Sequence, residues 1–151
     1  TAEEIDDVMY DARAGDLESL KAFLDSRPAS CLASIRDEYS LATPLHYAAA
    51  NGHLDVVKYL LELIKRDPTS NGGLLKVTNE SGNIALHWAA LNGHLAIVTA
   101  LCEAGSDPFI KNNADHDSYY EAESNEHEEV IDYLLKKFDI EPVELNAEDE
   151  A

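Results

Sequence analysis

The chain has 151 residues, 45% of them hydrophobic, which is enough for one domain with a core of its own. No apolar run approaches the roughly 18 residues of a membrane-spanning helix, so a soluble protein is expected. Thirty acidic residues against eleven basic ones give a net charge of −19. That charge sets nucleic acid and anionic membranes aside as direct partners and favours a basic protein.

The charge is uneven. Residues 1–40 hold ten acidic and four basic side chains, residues 41–114 six and five, and residues 115–151 fourteen and two, so the last quarter alone contributes −12. The opening Thr1–Asp7 is acidic and has no signal-peptide pattern; without an initiating Met, the chain reads as trimmed. Cys31 and Cys102 have no neighbours at metal-ligand spacing, which favours a reducing compartment and no metal.

Taken in chain order, the elements repeat. Gly15 followed by Leu17, Leu20 and Leu24 is a first, weak copy. The stretch TPLHYAAANGHLDVVKYLL at 43–61 returns as IALHWAALNGHLAIVTALC at 84–102. In the second copy Thr43 and Pro44 read as the cap and first turn of a helix that ends near Asn51 and Gly52. Val56, Val57, Leu60, Leu61 and Ile64 then form one apolar stripe at helical spacing. Pro68 and Asn71-Gly72-Gly73 end that helix, so the extra residues fall in its extended end and the loop beyond. In the third copy Ile97-Val98 mark the stripe, and Cys102 sits on it as a small buried hydrophobe. Val130-Ile131 mark a fourth, with Glu126 where the others have glycine. Residues 139–151, DIEPVELNAEDEA, carry six acidic and no basic side chains and read as an acidic flexible tail.

The spacings of 37, 41 and 33 residues describe units too thin to bury an apolar face alone, so the units must stack. Thr43-Pro44-Leu45-His46-Tyr47-Ala48 resembles the ankyrin repeat in full, and Ile84-Ala85-Leu86-His87-Trp88-Ala89 keeps its Leu, His and Ala. Asn51-Gly52-His53-Leu54 and Asn92-Gly93-His94-Leu95 match the turn between helices, and Gly105, Asp107 and Asn112 match the approach to the next loop. Val8-Met9 and Asp117-Ser118-Tyr119-Tyr120 depart from the pattern, as terminal caps do. The expected fold is all-α, an ankyrin-repeat solenoid of four stacked helix pairs with hairpin loops over residues 1–138, its outer two units acting as caps.

Under that resemblance His46, His53, His87 and His94 are structural, hydrogen-bonding within and between units. The resemblance also implies a concave partner-binding face. Its loop tips are Glu38, Tyr39, Ser40, Asn79, Glu80, Ser81, Asn112 and Asn113. Its first helices offer Tyr47, Ala50, Asn51, Trp88, Leu91, Asn92, Glu121, Ser124 and Asn125. Trp88, the sole tryptophan, is either an anchor for the partner or a packing residue between units, and the two roles are compatible.

Chemistry is sparse. His127-Glu128-Glu129-Val130-Ile131 begins like a zinc-protease helix but has Ile at the second His position. Asn79-Glu80-Ser81 fits a glycosylation sequon, with nothing else indicating secretion. No phosphate loop or nucleophile motif is present, so neither an enzyme nor a cofactor is expected.

Further stretches narrow the resemblance: Asp11-Ala12-Arg13-Ala14-Gly15-Asp16-Leu17, Gly82-Asn83, Asp107-Pro108-Phe109-Ile110-Lys111-Asn112 and Tyr133-Leu134-Leu135-Lys136-Lys137-Phe138. Together they resemble the fungal ankyrin-repeat proteins that escort ribosomal protein three of the small subunit, a basic KH-domain protein. That resemblance implies a chaperone of cytoplasm and nucleus, a monomer that forms a heterodimer with its client and supports ribosome assembly. The chain is shorter at its C-terminus than the family leads one to expect. A regulatory ankyrin inhibitor of a kinase or transcription factor would share the fold without needing so acidic an end.

Overall fold

The computed structural model describes residues 2–25, 27, 35–66 and 73–138. The tail expected at 139–151 lies outside the described residues. Four helix pairs follow one another: α1 (Ala2–Ala14) with α2 (Leu17–Leu24), and α3 (Pro44–Ala50) with α4 (Leu54–Arg66). After a short α5 (Gly73–Lys76) come α6 (Ala85–Leu91) with α7 (Leu95–Glu103), and α8 (Ser118–Ser124) with α9 (Glu128–Lys137). Among the described residues there is no strand, and no helix is long and apolar enough to cross a membrane.

Stacking follows the sequence pattern. The first helices form one row, α1 on α3, α3 on α6 and α6 on α8; α4, α7 and α9 form part of a second. The Ala pairs Ala48-Ala49 and Ala89-Ala90 are fully buried, and their small side chains set the close approach within the first row. The branched pairs Val56-Val57 and Ile97-Val98 are buried with Leu60, Leu101, Val130 and Leu134 to make a continuous core. Burial of each such side chain is worth about 1.5–3 kcal/mol.

The one turn of α5 differs from the sequence reading, which placed a loop there. Its Leu74 and Leu75 are buried, so apolar burial holds a turn that Gly73 at its start disfavours.

Histidines tie the units together as expected. Thr43 Oγ1 accepts from His46 N at 3.4 Å and caps α3, while Thr43 N donates to His46 Nδ1 at 3.1 Å. With Nδ1 accepting, Nε2 carries the proton and donates across to Asn83 O in the next loop at 2.7 Å. His87 repeats this, accepting from Ile84 N and donating to His116 O at 3.0 Å. A second series runs backward: His53, His94 and His127 donate from Nε2 to the carbonyls of Arg13, Ala50 and Leu91, at 2.9, 3.0 and 2.7 Å.

This second series explains the turn glycines. Gly93 has φ +74°, and a Cβ there would lie 2.5 Å from the ring of His127. Only glycine supplies both the left-handed backbone and the room for the next unit's imidazole. Glu126 adopts the same conformation, φ 58°, at the end of the stack, and is exposed.

Candidate protein-binding face

Register places Tyr10, Tyr47, Trp88 and Glu121 at one position on successive first helices, α1, α3, α6 and α8. Tyr47 and Trp88 pack with ring centroids 5.7 Å apart, tilted by 59°, and Trp88 also meets the buried ring of His46 edge-on at 5.2 Å. Both aromatics are half-buried, so Trp88 packs between units and still presents surface. Tyr10 continues the row at the N-terminal end and is 66% exposed. The Arg13 guanidinium lies over the Tyr47 ring at 4.6 Å, a cation–π contact that covers one face of the tyrosine.

Beside this row run Arg13, Ala50, Leu91 and Ser124, and beside those Asn51, Asn92 and Asn125. Leu91 and Ser124 are exposed. The asparagines are C-caps of α3, α6 and α8 whose side chains donate to Arg13 O, Trp88 O and Glu121 O. They therefore hold the turns that bear the face.

Each hairpin loop is built around one side-chain acceptor. Asp37 Oδ2 accepts from Tyr39 N and Ser40 N; Asn79 Oδ1 from Ser81 N and Asn83 N; Asn112 Oδ1 from Ala114 N and His116 N. The first loop is one residue longer than the others, closing Asp37 N to Ala42 O where the second closes Asn79 N to Asn83 O. Asn79 is consequently buried and turned inward, leaving Glu80 and Ser81 as the exposed tip. Glu38 and Tyr39 are exposed, Tyr39 at 83%, while Ser40 bonds the Tyr47 hydroxyl at 3.2 Å. The loops are zipped to one another: Glu80 N donates to Ser40 O, and Asn113 N donates to Ser81 O.

Charge divides the face into a centre and two ends. The helices α3 and α6, PLHYAAA and ALHWAAL, carry no Asp, Glu, Lys or Arg. In contrast α1 carries Glu3, Glu4, Asp6, Asp7 and Asp11 against the single Arg13, with Glu4 paired to Arg27 at 3.0 Å. Burial, and then the nearby charges of Asp16 and Asp7, push the Asp11 carboxyl above its usual range, a sign of crowded negative charge. At the other end α8 and its cap carry Asp117, Glu121 and Glu123, with Glu126, Glu128 and Glu129 just beyond. An aromatic strip between two acidic ends suits an elongated basic ligand.

Cys102, His46 and His87 are not poised for chemistry, and Cys31 lies outside the described residues. Burial pushes the Cys102 thiol up to about 12, which keeps it protonated and unreactive. Burial likewise lowers His46 to about 4 and lowers His87, so both are neutral and serve as hydrogen-bonding struts. Among the described residues no three His, Cys, Asp or Glu side chains gather as a metal site.

Sequence reading did not single out Tyr10, Arg13 or His116. Tyr10 and Arg13 were accessible to it: they stand 37 residues before Tyr47 and Ala50, the same shift that relates Gly15 to Gly52. The role of His116, stacked on Tyr120 at 3.8 Å, emerges only from the three-dimensional arrangement of the third loop.

The likenesses to known proteins agree with this architecture. A family model for ankyrin repeats, in three copies, matches residues 8–112 and again 75–149. The ankyrin repeat-containing protein YAR1 of Saccharomyces cerevisiae is 46% identical over 144 residues, covering 93% of this chain and 72% of that protein. An ankyrin repeat-containing protein of Schizosaccharomyces pombe is 40% identical over 132 residues, covering 87% and 84%. Among solved structures, a chain in the crystal structure of the yeast ribosomal protein Rps3 in complex with its chaperone Yar1 superposes with a TM-score of 0.88 at 43% identity. That match covers 94% of this chain and 97% of the other. Repeat spacing, histidine ties and these likenesses lead to one conclusion: the chain belongs to the ankyrin-repeat family.

Proposed function

We propose that the protein is a chaperone of a basic small-subunit ribosomal protein, the counterpart of yeast Rps3, which it binds one-to-one across the inner face. The observation that carries this reading is the uncharged aromatic strip of α3 and α6 set between the acidic ends of α1 and α8. A free ribosomal protein exposes a basic surface made for RNA, and such a surface associates with stray polyanions. Acidic ends draw that surface in and cover it, while Tyr47 and Trp88 bury apolar area at the centre. Exposed ion pairs contribute only about 0–1 kcal/mol each and weaken with salt, so RNA can displace the chaperone when assembly begins.

The likeness to the chain solved with Rps3 supports the partner class. On this reading the protein works by binding alone, without catalysis, and accompanies its client from cytoplasm to nucleus.

The test is kinetic. Association with purified Rps3 should slow markedly as salt rises, because charge acts mainly on encounter. Trp88→Ala should chiefly quicken dissociation, and excess ribosomal RNA should compete. Binding indifferent to both salt and RNA would remove the physical basis of the reading.

A further inference from the structure

The aromatic row ends on a carboxylate. Glu121, on α8, takes the position that Trp88 holds on α6, and it lines a cleft of about 510 Å³ between the second and third loops. Glu80, Asn112, Asn113 and His116 line it too. Its walls are fixed: Asn113 N bonds Ser81 O at 2.9 Å, and Asn113 Nδ2 bonds Glu80 O at 3.0 Å. Gly82 makes the loop junction possible, since a Cβ there would lie 2.6 Å from Asn113 Oδ1.

Inside this frame acceptors outnumber donors. The Glu121 side chain is only 16% exposed, yet it receives one hydrogen bond, from Asn112 Nδ2 to Oε2 at 3.2 Å. His116 Nδ1 stands 3.9 Å from the same oxygen, beyond hydrogen-bond reach though within ion-pair distance. Asn112 cannot give more, because its Nδ2 also donates to Asn83 Oδ1 and its Oδ1 is taken by two loop amides. Glu121 Oε1, the Glu80 carboxylate and Asn113 Oδ1 accept no hydrogen bond from any described residue. The second oxygen of the Glu121 carboxylate stays in contact with solvent, so a cation entering the cleft can reach it.

We infer that this cleft is a socket for an arginine side chain of the bound partner, with Glu121 as its floor and Glu80 at its rim. The inference deepens, and rests on, the reading that a basic protein binds this face. Arginine fits better than lysine for two reasons. Its planar fork offers five donors to acceptors spread over two loops, where an ammonium offers three from a single point. His116, itself stacked on Tyr120, gives one wall a flat ring of the kind guanidinium groups lie against.

Two measurements test the socket. Glu121→Gln keeps the shape and the Asn112 bond but removes the charge, and thermal melts establish that the variant is folded. Against Rps3 it should weaken binding about tenfold, and Glu80→Gln should weaken it less. In double-mutant cycles, one Rps3 Arg→Lys change should couple to Glu121→Gln, so that the pair costs little more than either alone. Equal binding by Glu121→Gln and wild type, or additivity with every Rps3 arginine, would overturn the socket.

The second measurement needs no partner. Ethylguanidinium titrated into the free protein should shift the Asn112 side-chain amide and His116 resonances saturably. The shift should be absent in Glu121→Gln and with ethylammonium at equal ionic strength. Should Rps3 fail to bind the wild type, the proposed function falls and this titration alone decides the socket. No guanidinium-selective shift would then reject it.

Discussion

The two central units and the two outer ones use the same backbone for different purposes. In the centre, Thr43-Pro44-Leu45-His46 and Ile84-Ala85-Leu86-His87 are buried almost completely, and each imidazole ties its helix to the following loop. At the ends, Met9 and Tyr120 take the histidine position, and the helices they stand on are studded with Asp and Glu. Charge repels charge, so an acidic row is better tolerated where water screens it than between two packed units. The stability of the stack therefore resides in its middle and its electrostatic reach at its ends. On the proposed function the same division separates aromatic burial, which would hold the partner, from acidic ends, which would draw it in.

Acid should break the middle first, and this is the largest effect expected. Burial lowers His46 to about 4, against about 6.5 in an unfolded chain. As pH falls from 6.5 toward 4, the unfolded chain takes up a proton that folded His46 refuses, so stability declines across that window and levels off below it. For His46 the loss is about 3 kcal/mol, and His87, shifted the same way by burial, adds to it. The measurement is denaturant unfolding at pH 7 and pH 4, wild type beside His46→Gln. Comparison with the variant cancels the carboxylates' own titration, so the stability advantage of wild type should shrink by the stated amount. A constant difference between the two proteins would mean that His46 is not held neutral.

Replacing the struts one by one sharpens the same contrast. His87→Ala strands Ile84 N and the His116 carbonyl in a buried setting and should cost about 1–3 kcal/mol. His127→Ala breaks a single bond, to Leu91 O, near the exposed end of the stack and should cost less than about 1 kcal/mol. Equal losses at the two sites would argue against a stability centred in the middle. If His87→Ala kept full stability but lost Rps3 binding, His87 would belong to the site and not to the scaffold.

How much of this was legible beforehand follows from the same physics. Thr43, Pro44, His46 and the turn glycines are fixed by burial, capping and backbone geometry that few other residues satisfy, so the central units announce themselves. Once their register is known it carries to the loop tips, which is why Tyr47, Trp88, Glu80 and Glu121 were found as candidates. Where geometry is less demanding the pattern fades. Tyr10 and Arg13 lie in a unit whose motif has become Val8-Met9, and only the 37-residue shift points to them. Asn79 counts as a loop tip in sequence, yet the shorter second loop needs its side chain as an internal acceptor and turns it inward. The turn of α5 escaped because two buried leucines outweigh Gly73 before them.

The smallest effect expected tests why the last unit departs from glycine. At Gly15, Gly52 and Gly93 two constraints coincide: a left-handed backbone, and the imidazole of the next unit pressed against the Cα. Glu126 has the same backbone, φ 58°, but no histidine among the described residues is set against it. Only the backbone term is left there. A left-handed residue other than glycine costs about 1–2 kcal/mol, and glycine's greater freedom in the unfolded chain returns about 0.5–1 kcal/mol of that. Glu126→Gly should thus stabilise by up to about 1 kcal/mol, whereas Gly93→Ala, which meets both constraints, should destabilise by clearly more than that. Thermal melts of the two variants beside wild type read the difference directly. If Glu126→Gly melted lower than wild type, Glu126 would have to make a stabilising contact through its side chain, and the end of the stack would be less free than its exposure implies.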